Sequence, residues 1–275
     1  MTQTAQKFRQ KSRRFGAPWR ILAGICGIAT AAYLVLQFAP GPIVWLIPSS
    51  WKNTVGEKAE TVLAGGRPSC GSPSGTAAFN AMLARLADGN PNLPGVALHV
   101  YDIGVMNAFS LPGNRIIVTK KLIDTAGNAT ELAGVLAHEM GHIVYHHSEQ
   151  QFVRTEGLEL LLSFLTGGHG VSTAGSIANA ASLMRYSREA EREADNFAVQ
   201  TLADAEIDPM GLRHFFERML EAEEKHGTVG KVLEAFDSHP ATEDRIAAIH
   251  PLPDPSKARP VLNDAQWLAI KTICD

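Results

Sequence analysis

The stretch that decides the fold runs from Asn128 to His147 and is NATELAGVLAHEMGHIVYHH. Its apolar residues recur at three- and four-residue intervals, which predicts a helix, and Asn128 or Thr130 can cap the first turn. His138 and His142 are four residues apart, so both imidazoles project from one helix face about one turn apart. This spacing suits two ligands of a tetrahedral zinc ion.

Glu139 follows the first of these histidines and is rotated about 100° from it around the helix axis. From that position a carboxylate can reach a water molecule beside a metal ion and act as a general base. An exposed polar helix with two surface histidines is the alternative. It fits poorly, because Leu132, Leu136 and Ile143 make the predicted helix apolar enough to be buried.

A zinc site needs a further protein ligand, and the segment SREAEREAD from Ser187 to Asp195 offers three glutamates. On a helix, Glu189, Glu191 and Glu193 cannot all face one way, so only one of them is the expected ligand. Glu191 is favoured, because Asp195 lies one turn further along the same face. A carboxylate there can hydrogen-bond a ligand histidine.

Motifs in a fixed order resemble the zinc metallopeptidase family of the CAAX prenyl protease, HtpX, BepA and the mitochondrial overlapping-activity protease. The first two are the HExxH at 138–142 and the downstream glutamate-to-aspartate pair, Glu191 and Asp195. The segment NAFSLPG at 107–113 resembles the approach to the family's active-site strand, and HPATEDR at 239–245 resembles its late His-Pro segment. Together they are more specific than the HExxH alone.

The resemblance covers roughly residues 75–250 and implies a zinc-dependent endopeptidase with one zinc ion per chain and polypeptide substrates. It implies that Glu139 is the general base and that His239 approaches the metal as a regulatory ligand or a transition-state donor. The implied metal ligands are His138, His142 and Glu191, with Asp195 orienting a ligand. A zinc-binding chaperone-like or gated module without proteolytic activity remains the alternative, although a structural site needs no general base.

Strand patterns before the metal helix and helical patterns after it predict a mainly α fold with a small β-sheet, an α+β domain of the zincin type. Strands are expected at 95–103 and 115–119, and helices at 76–86, 128–147, 152–165, 176–203, 209–226, 242–249 and 264–270. The second strand is the candidate for binding an extended substrate by strand addition. It consists of Arg115, Ile116, Ile117, Val118 and Thr119.

The N-terminus combines a basic head, residues 1–20, with an apolar run at 21–39 that spans roughly 28 Å as a helix. This pattern predicts a transmembrane signal-anchor whose basic side stays in the cytoplasm. We therefore expect a bacterial inner-membrane protein with its catalytic domain in the periplasm, acting on unfolded or damaged envelope proteins. Cleavage near Ala29-Thr30-Ala31, with release into the periplasm, is the alternative. Residues 40–75 are expected to form a linker and 76–275 the peptidase domain.

Composition limits the remaining function classes. A net charge of -3 and a pI of about 6.4 argue against a general nucleic-acid binder, and a mean hydropathy of -0.03 argues against several membrane spans. An oxidising compartment would permit Cys70 and Cys274 to pair, although nothing in the sequence brings them together. The oligomeric state is left open.

Overall fold

The computed structural model describes residues 16–88, 90, 93–165, 186–226, 239 and 242–275. The described chain is mainly helical with one small sheet, as the sequence patterns predict. The strands are β1 Ala97–Tyr101, β2 Ala108–Leu111 and β3 Arg115–Thr119. The helices are α1 Gly16–Phe38, α2 Pro40–Leu46, α3 Ser49–Leu63, α4 Pro73–Asp88, α5 Lys120–Thr125, α6 Ala129–Val144, α7 His147–Leu165, α8 Arg188–Asp204, α9 Met210–His226, α10 Glu243–Ala248 and α11 Asp264–Lys271.

The sheet has the strand order β1-β3-β2, with β3 parallel to β1 and antiparallel to β2. β2 and β3 are buried on both faces of the sheet. Ile116 and Val118 belong to the main core with α4 and α6, whereas Ile117 packs with Phe109 and Tyr101 against α3. The turn into β3 places Gly113 at φ 78°, a left-handed conformation that glycine adopts without strain.

Residues 40–75 were expected to be a linker, but this expectation is wrong. The segment contains α2 and α3. Pro40 occupies the first turn of α2, where the backbone N–H that proline lacks would have no partner within the helix. On α3 the carboxylate of Glu60 is buried and accepts hydrogen bonds from Arg115 Nη1 (2.8 Å) and Tyr101 Oη (2.8 Å), and it also contacts His99. These bonds fasten α3 to the sheet.

The N-terminus of α6 is capped by a side chain. The side chain of Asn128 accepts from the backbone N–H of Glu131 (2.9 Å), so Asn128 rather than Thr130 is the cap. The Glu131 carboxylate in turn accepts from the N–H of Gly127 (2.8 Å) and receives two bonds from the guanidinium of Arg218 on α9. The start of α6 is therefore fixed to α9.

Two glycines let neighbouring helices approach α6 closely. A Cβ at Gly141 would lie 2.9 Å from Ala194 Cα on α8, and one at Gly134 would lie 2.8 Å from Leu212 Cα on α9. Such distances are shorter than carbon contacts allow, so larger residues would force the helices apart. The backbone of α8 thus touches the α6 turn that lies between the two histidines of the HExxH.

The long helix expected at 176–203 starts later in the structure. Residues 176–185 of that prediction lie outside the described residues, and α8 begins at Arg188, after Tyr186 and Ser187, which are not helical. The hydroxyl of Ser187 accepts from the N–H of Ala190 and caps α8.

A disulfide joins Cys70 to Cys274. Cys70 also donates its N–H to the carbonyl of Val100 on β1 (2.8 Å), so the bridge lies next to the sheet. It connects the segment before α4 to the end of α11, and these two helices pack together. The bridge therefore links the first and last parts of the folded domain.

We predict that Gly141→Ala lowers the free energy of unfolding by about 1–3 kcal/mol, because overpacking against Ala194 outweighs the gain in helix propensity. Urea denaturation of the full chain in detergent micelles measures this change. Gly41→Ala is the matched control, since Gly41 is also helical and a Cβ there meets nothing within 4 Å. Equal midpoints for the two variants would contradict the close-approach argument.

Candidate metal centre

Two imidazole nitrogens from α6 meet at the centre of the domain. His138 and His142 are both buried, and their Nε2 atoms lie 3.1 Å apart. The four-residue spacing brings the rings to the same side of consecutive turns, as the sequence predicts.

The carboxylate of Glu191 arrives from α8 to complete a triangle of donor atoms. Its Oε2 lies 3.4 Å from His138 Nε2, and its Oε1 lies 3.6 Å from His142 Nε2. Ligands bound tetrahedrally at about 2.1 Å are about 3.4 Å from one another, so these separations fit one ion held by the two nitrogens and the Glu191 carboxylate. Of the three candidate glutamates, Glu191 is the one that faces His138 and His142.

His239 adds a fourth donor. Its Nδ1 lies 3.3 Å from His138 Nε2 and 3.0 Å from Glu191 Oε1. Its Nε2 is 3.5 Å from Glu139 Oε1. Four residues thus each contribute one donor atom, and all four atoms lie within 4.8 Å of one another. These residues are His138, His142, Glu191 and His239.

Glu139 is buried beside this cluster. Within the described residues its Oε2 has no hydrogen-bond partner, which is unusual for a buried carboxylate oxygen. A small cavity of about 30 Å³ reaches the same place between β2 and α9, with Ala108 on one side and Phe216 on the other. The carboxylate is therefore available to a small molecule or a substrate group that enters the cluster.

Asp195 lies one turn beyond Glu191 on α8, where its Oδ1 is 2.9 Å from His138 Nδ1. Arg245 at the start of α10 donates to both Asp195 oxygens, at 2.7 and 2.8 Å, and its Nη1 lies 2.8 Å from Glu191 Oε2. This guanidinium is buried and stacks over the ring of Phe216 at 4.6 Å. It fixes both carboxylates of α8 at once.

Arg245 is the last residue of the HPATEDR motif, and the sequence alone suggests no role for it. Its contacts join residues 50 positions apart, so no helical or strand period connects them. The available signal was local: Thr242 caps a short helix and places an arginine in its first turn.

The charges of the cluster influence one another. Burial disfavours the protonated form of His138, but its contacts with Asp195 and Glu191 outweigh burial and raise its pKa to about 9. Burial likewise works against ionised Asp195, yet hydrogen bonds from Arg245 hold the pKa of that carboxyl below its ordinary value. The ionised carboxylates therefore favour a positive charge at His138, whereas burial and the neighbouring His138 and His239 hold the pKa of His142 well below its ordinary value.

The donor set fits a divalent cation. The described cluster contains three buried carboxylates, Glu139, Glu191 and Asp195, and the guanidinium of Arg245 pairs with the last two. Buried charges are normally paired or bound to a metal, and a 2+ ion would compensate the excess negative charge. Nitrogen and oxygen donors in a tetrahedral arrangement are characteristic of zinc.

The expected substrate strand is wrong. Arg115, Ile116, Ile117, Val118 and Thr119 form β3, which pairs with β1 on one side and β2 on the other. A central strand has no free edge to which a peptide can add. Among the described strands, β2 lies at the edge and packs against α6, so its segment 108–111 is the strand next to the cluster.

Comparison with known proteins agrees with this geometry. The sequence profile described as peptidase family M48 matches residues 76–252. The mitochondrial metalloendopeptidase OMA1 of Schizosaccharomyces pombe is 32% identical over 154 residues, which are 55% of this chain and 45% of OMA1. Metalloprotease YcaL of Escherichia coli is 30% identical over 175 residues, 62% of this chain and 66% of YcaL.

A beta-barrel assembly-enhancing protease of Yersinia pestis is 24% identical over 196 residues, 66% of this chain and 40% of that protein. The chain therefore spans between 40% and 66% of the length of these three relatives. The family profile, in contrast, covers well over half of the chain and contains every donor of the cluster. On these grounds the chain belongs to peptidase family M48.

Proposed function

We propose that the protein is a zinc-dependent endopeptidase. The observation that carries this proposal is the buried cluster of His138, His142 and Glu191 with the carboxylate of Glu139 directly beside it. A site that only stabilises the fold needs the ligands but not the adjacent base.

Under this proposal His138, His142 and Glu191 hold one zinc ion per chain. When bound, the ion supplies Lewis acidity that polarises the scissile carbonyl and makes water more acidic. Glu139 then takes a proton from the attacking water and returns it to the leaving amine. Its partnerless Oε2 supports this role, because no described residue competes for that oxygen.

In this proposal the polypeptide substrate adds to β2, the edge strand beside the cluster, and replaces the Tyr186 hydroxyl, which donates to the Ser110 carbonyl at 3.4 Å. Backbone hydrogen bonds at a strand edge read the main chain more than the side chains, which suits unfolded substrates of varied sequence. The edge strand also packs on α6, so an added peptide runs close to Glu139.

Two roles were expected for His239, and the geometry supports that of a regulatory metal ligand. Its Nδ1 lies among the other donors at ligand spacing. A catalytic zinc site keeps one position open for water or substrate. His239 therefore has to leave this position before a peptide carbonyl can occupy it.

We place the domain in the bacterial periplasm, held at the inner membrane and acting on unfolded or damaged envelope proteins. Three features support this. Residues 19–38 of α1 form an apolar, surface-exposed helix long enough to cross a bilayer. The basic head precedes it. The Cys70–Cys274 disulfide suits an oxidising compartment.

The competing function is a zinc-binding chaperone-like or gated module that cuts nothing. Such a module would use the same metal ligands as the peptidase, but Glu139 would have no catalytic role in it. Chelator-sensitive cleavage of unfolded casein by the full chain in detergent micelles separates the two.

Glu139→Gln should retain zinc at wild-type stoichiometry while casein cleavage falls by about 100-fold or more, because the base is lost and every ligand remains. Zinc is measured by atomic absorption on the same samples that are assayed. Cleavage at the wild-type rate by the zinc-loaded variant would remove Glu139 from the mechanism.

Glu191→Ala should lose zinc and activity together, since it removes one of three ligands. Glu189→Ala is the matched control, being an exposed glutamate on the same helix, and should keep both. Atomic absorption of the two purified proteins decides the matter. Normal zinc content in Glu191→Ala would show that the ligand set is misassigned.

A reporter active only outside the cytoplasm, fused after residue 275, should be active in bacterial cells. A fluorescent reporter that folds only in the cytoplasm, fused at the same point, should stay dark. The opposite pair of results would reverse the proposed topology.

A further inference from the structure

A chain of hydrogen-bonding groups leads from His142 to the protein surface. His142 Nδ1 lies 2.9 Å from His147 Nδ1, and His147 Nε2 lies 3.0 Å from Glu193 Oε2. The two imidazoles are buried, whereas the Glu193 side chain is 49% exposed. Glu193 therefore bonds His147, which lies on the side of His142 that faces away from the donor cluster.

The protons in this chain can be assigned from the proposed metal site, on which this inference rests. His142 faces the other donors with Nε2, so a metal ion would use the Nε2 lone pair and leave the proton on Nδ1. That N–H donates to His147, whose Nδ1 must then be the unprotonated nitrogen. The proton of His147 is accordingly on Nε2, where it donates to the Glu193 carboxylate.

Ring contacts keep both imidazoles in this orientation. The ring of Tyr186 stacks on His142 with 4.0 Å between centroids and 20° between planes. Tyr145 stacks on His147 at 5.6 Å and 26°. Each imidazole is therefore held in its orientation both by ring stacking and by hydrogen bonds.

The backbone explains how position 147 reaches position 142. The sequence predicts one helix through His147, in which residues five apart point in different directions. In the structure α6 ends at Val144, and His146 adopts a left-handed φ of 56° before α7 begins at His147. This turn swings His147 back towards His142.

The two histidines of the HExxH are supported differently. His138 Nδ1 faces the buried Asp195 carboxylate directly, whereas His142 Nδ1 is linked to the Glu193 carboxylate through the imidazole of His147. Groups that hydrogen-bond a ligand histidine fix its tautomer, and their loss typically weakens metal binding about 10–100-fold. His147 is the group that hydrogen-bonds His142 in this way.

We propose that His147 and Glu193 are positioning residues that hold His142 in its Nδ1–H tautomer, with Nε2 directed at the metal. Neither residue touches substrate or metal. Glu193, which the sequence offered as a rejected ligand candidate, acts through His147.

The test measures zinc affinity by chelator competition on the full chain in detergent micelles. His147→Leu, which fills a similar volume without an acceptor, should weaken zinc binding about 10–100-fold. His147→Asn should stay within about threefold of wild type, because the amide oxygen can replace Nδ1 as the acceptor. Glu193→Ala should cost about two- to fivefold, since its carboxylate is half exposed and acts indirectly. Glu189→Ala is the control and should cost nothing.

Nitrogen NMR of the zinc-loaded wild-type protein provides a second readout that does not depend on a variant folding. It should find the His147 proton on Nε2 and the His142 proton on Nδ1. A proton on His147 Nδ1, or equal zinc affinity in His147→Leu and wild type, would overturn the positioning role alone. A wild-type protein that binds no zinc would instead overturn the proposed function, and the positioning role with it.

Discussion

The close contact between α6 and α8 is the constraint on which the rest of the structure depends. Glu191 reaches the histidines only because the α8 backbone lies against Gly141, in the helix turn between them. The neighbouring elements hold that contact in place. α9 fixes the start of α6 through Arg218 and Glu131, and α10 holds α8 through Arg245. The donor spacing is thus a property of helix packing, and only secondarily of the ligand side chains.

Arg245 gives this packing an electrostatic component. Two carboxylates four residues apart on one helix repel each other, and burial strengthens that repulsion. One guanidinium that bridges Asp195 and Glu191 offsets it while leaving a Glu191 oxygen directed at each histidine. The chain segment that carries Arg245 also carries His239, so the same late segment supports the centre and supplies its fourth donor.

Much of the centre could be predicted from the sequence because its signals are local. The HExxH pair, the Asn128 cap and the Glu191–Asp195 pair all depend on spacing within one helix. The role of β3 was predicted wrongly, since periodicity identifies a strand but not its neighbours in the sheet. The short β2 and the two helices before α4 gave weak periodic signals. The contact of His147 with His142 could not be predicted, because His146 adopts a left-handed conformation that ends the regular helical spacing.

The disulfide encloses nearly the whole domain in one covalent loop. Cys70 and Cys274 are 204 residues apart, and α6, α8 and α10 all lie between them. A single backbone cut anywhere within that loop leaves both fragments attached to each other. A peptidase that works among other peptidases, or that cuts a neighbouring copy of itself, would therefore keep its ligand-bearing helices in one molecule after a first nick. Only reduction of the disulfide as well would let the pieces separate.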